Sequence, residues 1–218
     1  MEAVLRTAQT PDWITFLIFA SLIFIVLAKG FFYGKYMNFM ILPINNKYIF
    51  LYNKKDKLMN GFQVFLTLFQ LFNSSLFLYL IGKLFLGIPK NDDPLLFMGI
   101  LGGLVVFLLL KISLQLVSAF IFDSEKTILE IIFKKLSYFN YSALVMFLAN
   151  AVLSFIFIDS KIVVYVAIFL ILWINIIGWS TLLKNHQNFI AANFFYFILY
   201  LCALEIAPLV LIGSFLNR

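Results

Sequence analysis

Six apolar stretches, each about 20 residues or longer, divide this chain: 13–33, 62–88, 95–121, 138–158, 162–183 and 189–215. Roughly 20 residues of helix cross the hydrocarbon of a bilayer. Lipid cannot satisfy exposed backbone N–H and C=O groups, so irregular chain and open sheet edges are excluded there and each stretch reads as a helix. The expectation is an all-α, polytopic membrane helix bundle of about six transmembrane helices with short interfacial segments. The whole of 1–218 then forms one integral-membrane domain, because the spans leave no length for a second.

Composition supports this. The chain is 64% hydrophobic and 12% charged, against roughly half and a quarter in a soluble domain. The net charge of +6 need not signal a nucleic-acid partner, because lysines on the cytoplasmic side of a membrane protein account for it. The bilayer itself is the first partner implied. The N-terminus carries Glu2 and Asp12, lacks a basic leader and shows no small-residue cleavage site after Ala28, so no removable signal is expected. A single cysteine, Cys202, excludes an internal disulfide.

Boundaries are marked locally. "TPDW" suggests Thr10 as an N-cap, Pro11 as the first helical residue and Asp12 in the first turn, with Trp13 at headgroup level. "IPKNDDP" (Ile88 to Pro94) separates the second and third helices. "IDSK" (Ile158 to Lys161) predicts an antiparallel hairpin of the fourth and fifth, and "NHQN" (Asn185 to Asn188) joins the fifth to the sixth. The first connection, Gly34 to Gly61, is too polar to span and too aromatic for water. It is expected at the interface, with a turn at Asn45-Asn46. "DSEKTILEIIFKKLS" reads as a short amphipathic helix with a Thr127/Glu130 capping box and a Glu130–Lys134 pair. Its Ile128, Ile131, Ile132 and Phe133 would dip into the interface.

Basic residues set an orientation. The first, third and fifth connections hold Lys35, Lys47, Lys54, Lys55, Lys57, Lys126, Lys134, Lys135 and Lys184. The opposite side has Arg6, Lys83, Lys90, Lys161 and Arg218, giving nine against five. Both termini are therefore predicted to be periplasmic.

Polar residues inside the spans are spaced as stripes. Gln63, Thr67, Gln70 and Ser74 share one face of the second helix, flanked by Asn73. The third has Lys111, Gln115 and Ser118, the fourth Asn150 and Ser154, the fifth Asn175, and the sixth Asn193, Tyr196, Tyr200 and Glu205. Such stripes should face one another, since the alternative is an amide in hydrocarbon. Uncharged members serve mostly as glue between helices, worth on the order of 0.5–2 kcal/mol each.

Charge is costlier, about 2.5–3.5 kcal/mol near mid-membrane, and marks candidate function. Lys111 and Glu205 are the two such positions, with an axial offset of roughly 9 Å that their side chains could span if the helices are neighbours. Lys111 could instead snorkel to cytoplasmic headgroups. Glu205 could instead be a protonated acid bonded to Asn150 or Asn175, or could serve the backbone break at Pro208. The candidate polar site is thus Glu205, Lys111, Gln115, Gln70, Asn150 and Asn175.

Weaker signals add little. Gly99 and Gly103 form a GxxxG that would allow close helix approach. The sequons at Asn73 and Asn140 read as accidental if buried. The lone His186 makes a metal site improbable, and no phosphate loop, zincin motif, nucleophile elbow or dinucleotide fingerprint occurs, so no cofactor is expected.

"RTAQTPDW" (Arg6 to Trp13) and "LYLCALEIAPL" (Leu199 to Leu209) resemble an uncharacterised family of multi-pass inner-membrane proteins of Bacteroidota bacteria, a domain of unknown function. The resemblance implies a bacterial inner membrane and carries no activity, cofactor or catalytic residue. Three function classes follow from the residues. The leading one is a non-enzymatic integral subunit or accessory scaffold of a membrane complex, with other membrane subunits as partners. The alternative is a small transporter or ion or proton pathway using Glu205 and Lys111. The third, a lipid-modifying enzyme, needs an acid/base pair near a headgroup, where Glu205 is too deep and His186 has only Asn and Gln beside it.

Overall fold

The protein is described by a computed structural model, covering residues 12–45, 47–52, 60–85, 94–121, 125–158 and 160–185. Among these, all regular structure is helical: α1 (Asp12–Phe31), α2 (Tyr33–Met40), α3 (Lys47–Tyr52), α4 (Gly61–Phe85), α5 (Pro94–Ile121), α6 (Glu125–Ala151) and α7 (Lys161–Asn185). The expected all-α bundle is present. Five helices are long and apolar enough to cross a membrane, in α1, α4, α5, α6 and α7. The expected sixth span, 189–215, lies outside the described residues, as do Thr10, Pro11, most of "IPKNDDP" and Pro208.

Ring and amide contacts give the directions of the helices. Trp13–Tyr79, Phe24–Phe72 and Phe31–Phe65 rise on α1 as they fall on α4, so that pair is antiparallel. Asn140 reaches Thr67 and Asn150 reaches Asn73, so α4 and α6 are parallel. Lys135–Trp179, Tyr138–Gly178 and Asn175–Ser142 make α6 and α7 an antiparallel hairpin, as "IDSK" predicted. α4 and α6 form the centre. α1 and α5 pack on α4, and α5 and α7 pack on α6, while α5 and α7 barely touch one another.

Helix ends follow local chemistry. Asp12 lies in the first turn of α1 and Lys29 in its last, each complementing the helix dipole. Pro94 opens α5, where its missing N–H costs nothing. α6 continues into a π-helical turn, Val152–Ile156, in which the Phe157 N–H reaches back five residues to the Val152 carbonyl at 2.8 Å. Such a bulge re-aims the last turn before the chain reverses.

Two expectations are corrected. The amphipathic segment is not a separate interfacial helix: it is the first half of α6, continuous with the span that follows. Its Ile128, Ile131, Ile132 and Phe133 are buried against neighbouring helices rather than dipping into an interface. Side chains from α5 and from the α2–α3 segment cover that face, as Tyr48 stacked on Phe133 illustrates. Because α6 starts at Glu125, Thr127 sits within the first turn and not at an N-cap. The Glu130–Lys134 pair does form, at 3.2 Å.

The connection between α1 and α4 also packs more deeply than an interfacial segment would. Phe39, Leu42, Tyr48 and Ile49 join Phe62, Leu66, Phe133 and Tyr138 in one core cluster. Lys47 N–H donates to Asn45 Oδ1 at 3.1 Å, the turn before it falls at residues 41–44, and Asn46 of the expected Asn45-Asn46 turn lies outside the described residues. Tyr141 OH donates to the Met40 carbonyl at 3.2 Å and ties the segment to α6.

Candidate functional site

Two polar systems meet on α4. The first is a seam toward α6. Asn150 Nδ2 donates to the Asn73 backbone carbonyl at 2.9 Å, and Asn140 Nδ2 to Thr67 Oγ1 at 3.3 Å. Asn73 in turn donates to the Phe69 carbonyl one turn back at 2.8 Å. Gln63 accepts from Tyr48 OH at 3.2 Å. Asn175 on α7 donates to Ser142 Oγ at 2.9 Å and to its own Ile171 carbonyl at 2.7 Å. Thr67, Asn150 and Asn175 of the stripes thus meet neighbouring helices, the Ser118 side chain and the sixth-helix stripe lie outside the described residues, and both sequon asparagines, Asn73 and Asn140, are buried.

The second system is a cavity of about 610 Å³ between α4, α5, α6 and α7. It is mostly hydrocarbon, walled by residues such as Phe77, Leu104, Phe107, Met146 and Ile168. Its polar groups come from Gln70 and Ser74 on α4, Lys111 and Gln115 on α5, Lys135 on α6, and Asn175 on α7. The structure thus brings together four of the six residues singled out from sequence: Gln70, Lys111, Gln115 and Asn175. Asn150 belongs to the α4–α6 seam and does not line the cavity. Glu205 lies outside the described residues, so its pairing with Lys111, and its alternatives at Asn150, Asn175 and Pro208, are not addressed by this geometry.

The Lys111 side chain turns back along its own helix. Its amine sits over the ring of Phe107, 5.9 Å from the centroid, one turn back toward the middle of α5. A helical side chain leans naturally toward its N-terminal turn, and the aromatic face holds the cation there. Lys135, read from sequence only as an orientation charge, is the functional candidate that was missed. Its amine lies 4.6 Å from the Trp179 centroid, across the α6–α7 groove.

The two lysines stand at one level. Lys111 is ten residues before the end of α5 and Lys135 ten residues after the start of α6, about 15 Å along each helix from the connection that joins them. Gln70 is buried, donates through Nε2 to Ser74 Oγ at 3.3 Å, and keeps its Oε1 without a hydrogen-bond partner among the described residues. Among those residues no group of three or more His, Cys, Asp or Glu could hold a metal.

The arrangement defines an all-α bundle of membrane-spanning character with a cationic, amide-edged cavity between its outer helices. The chain belongs to the family described as a domain of unknown function, DUF4271, which it matches over residues 14–216. That agrees with the resemblance at the level of an uncharacterised family. No curated protein and no solved structure matches the chain.

Proposed function

We propose that this is a multi-pass protein of a bacterial inner membrane, with both termini periplasmic, acting as a non-enzymatic subunit or accessory scaffold of a larger membrane complex. The observation that carries the reading is the use of the amides. Asn140, Asn150 and Asn175 commit their donors to Thr67, to the Asn73 carbonyl and to Ser142 on neighbouring helices. Interhelical amide bonds of this kind hold a rigid frame. On α5, Gly99, Gly102 and Gly103 have no described atom within 4 Å of where a Cβ would stand, which suits close approach by a helix of another subunit.

The test is affinity purification of the tagged full-length protein in a mild uncharged detergent. A stoichiometric membrane partner is expected, lost on combined Gly99→Leu and Gly103→Leu substitution with unchanged abundance of the protein. A wild-type protein that elutes alone, at the mass of one chain, would refute the scaffold reading. A second reading, the ion or proton pathway through Glu205 and Lys111, draws on the inward turn of the Lys111 amine. It requires pH-dependent flux in proteoliposomes that Glu205→Gln and Lys111→Met each abolish.

A further inference from the structure

We propose that the cavity between α4, α5, α6 and α7 is a binding site for a long-chain carboxylic acid, its carboxylate at Lys111 and Lys135 and its hydrocarbon tail along the apolar walls. This goes beyond the scaffold reading and does not depend on it.

The volume comes first. About 610 Å³ lies inside the range of roughly 300–1,000 Å³ typical of small-ligand sites. At about 30 Å³ per water-sized unit it holds roughly 20 such units, the size of one acyl chain of 16 to 18 carbons with its acid group. The walls run from Leu104 to Gln115 on α5, about 16 Å along the helix.

The cavity is chemically polarised. By their order along the helices, Lys135, Gln115 and Gln70 lie toward one end of the cavity and Ile81, Met146 and Ile168 toward the other, with the Lys111 amine over Phe107 between them. A ligand that matches has one acidic end and one aliphatic end. Two amines lining one apolar cavity repel each other, and an anion between them removes that repulsion. The buried Gln70 carbonyl oxygen, without a hydrogen-bond partner among the described residues, can accept from the O–H of the acid while it is still neutral.

Access and depth select the acid. α5 and α7 each pack on α6 but barely on each other, so among the described residues the α5–α7 side is the least closed wall of the cavity. The amine of Lys111 lies over Phe107, midway along α5. A phospholipid phosphate would have to carry a permanent charge to that depth, at a cost of several kcal/mol. A carboxylic acid can enter in its neutral form, because burial favours protonation, and ionise where the amines stabilise the anion.

The test measures binding of radiolabelled palmitate to the purified full-length protein in dodecyl maltoside. Methyl palmitate and phosphatidylglycerol serve as competitors, and thermal unfolding of every variant is followed in parallel. Saturable binding near one palmitate per chain is expected, with Lys111→Met and Lys135→Met each weakening it about tenfold or more, as loss of a desolvated charge pair does. Lys111→Arg should keep binding within a few fold. Ile81→Trp, on α4 at the end away from Gln70, should weaken it by filling the apolar end. If a methionine variant proves unstable, the arginine and tryptophan variants still decide the matter. Competition by the methyl ester as strong as by the acid would overturn the proposal in favour of generic acyl filling. Preferential competition by phosphatidylglycerol, or no saturable binding by wild type, would overturn it as well. Partner recovery is scored on the same preparations, so a failure here is distinct from a failure of the scaffold reading.

Discussion

Gly178 lies where α7 packs tightly on Tyr138 of α6, and replacing it with alanine tests the hairpin directly. A Cβ there would stand 2.6 Å from Tyr138 Cγ, 2.9 Å from Cδ2 and 3.0 Å from Cβ. Carbon atoms in ordinary contact are about 3.5–4.0 Å apart, so roughly 1 Å must be found. Rotating Tyr138 about its Cα–Cβ bond relieves the first two contacts but not the third, because Cβ moves only with the α6 backbone. The helices must therefore separate locally. Overpacking of this kind costs about 1–3 kcal/mol, and separation lengthens the 2.9 Å bond from Asn175 to Ser142 one turn away, worth about 0.6 kcal/mol or more. Against this, alanine is favoured over glycine in a helix by about 1 kcal/mol. The expected net loss is about 1–2 kcal/mol, close to a tenfold change in the unfolding constant. Unfolding of the purified protein in dodecyl maltoside, titrated with sodium dodecyl sulfate and followed by circular dichroism, reads that loss. In a double-mutant cycle Tyr138→Ala should recover about 0.5 kcal/mol or more of it. A Gly178→Ala protein as stable as wild type would show that the close approach is not what requires glycine, and the account of the α6–α7 contact would fail.

Asn150→Leu should destabilise by about 1 kcal/mol in the same titration, since it removes one interhelical bond; an unchanged midpoint would sink the seam as a source of stability. Glu130→Gln leaves the buried Lys134 amine facing a neutral amide, and a loss of about 1–3 kcal/mol is expected, between the values for exposed and buried pairs. Trp179→Leu removes the aromatic face under the Lys135 amine, so about 1 kcal/mol should be lost, and Lys135→Met in that background should cost less than it does in wild type. Burial raises the Tyr36 phenol above its ordinary value of 10.0. The folded state thus holds its proton more tightly than the unfolded chain, and stability from this group is full below pH 10 and falls above it. Tyr36→Phe should make the alkaline decline shallower.

Much of the frame was legible because the bilayer restricts the choices. Five of the six apolar stretches coincide with long helices, and the Gln63–Thr67–Gln70–Ser74 period placed its residues on an inward face before any partner was known. The partners were less accessible. That Asn150 bonds a backbone carbonyl of Asn73, rather than a side chain, depends on the depth at which α4 and α6 cross, and residue spacing within one helix carries no such information. Lys135 was missed for a physical reason. "FKKLS" follows an acidic pair and looks like a solvated start, yet adjacent residues on a helix point about 100° apart. Lys134 takes Glu130, and Lys135 must then project elsewhere, on the face that seven residues later carries Ser142. Periodicity alone could have found it, had α6 been taken as one helix from Glu125 onward.

The two polar systems divide the bundle mechanically as well as chemically. α4 and α6 are joined by amide bonds, by the Phe69–Phe147 ring contact and by the α2–α3 segment packed across one end. α5 and α7 hang from this pair on opposite sides of the cavity, their outward faces apolar at Val106, Leu109, Leu110, Phe169 and Trp173. Breaking the seam would leave amides unpaired in hydrocarbon, whereas shifting α5 relative to α7 breaks little, since they barely touch. Among the described residues, the junction that yields most easily is therefore the α5–α7 gap, with the seam as its fixed support. Amide hydrogen exchange should be slowest in α4 and in α6 around Asn140–Asn150, because local opening there costs most. Faster exchange at the seam than in α5 would reverse that mechanical assignment.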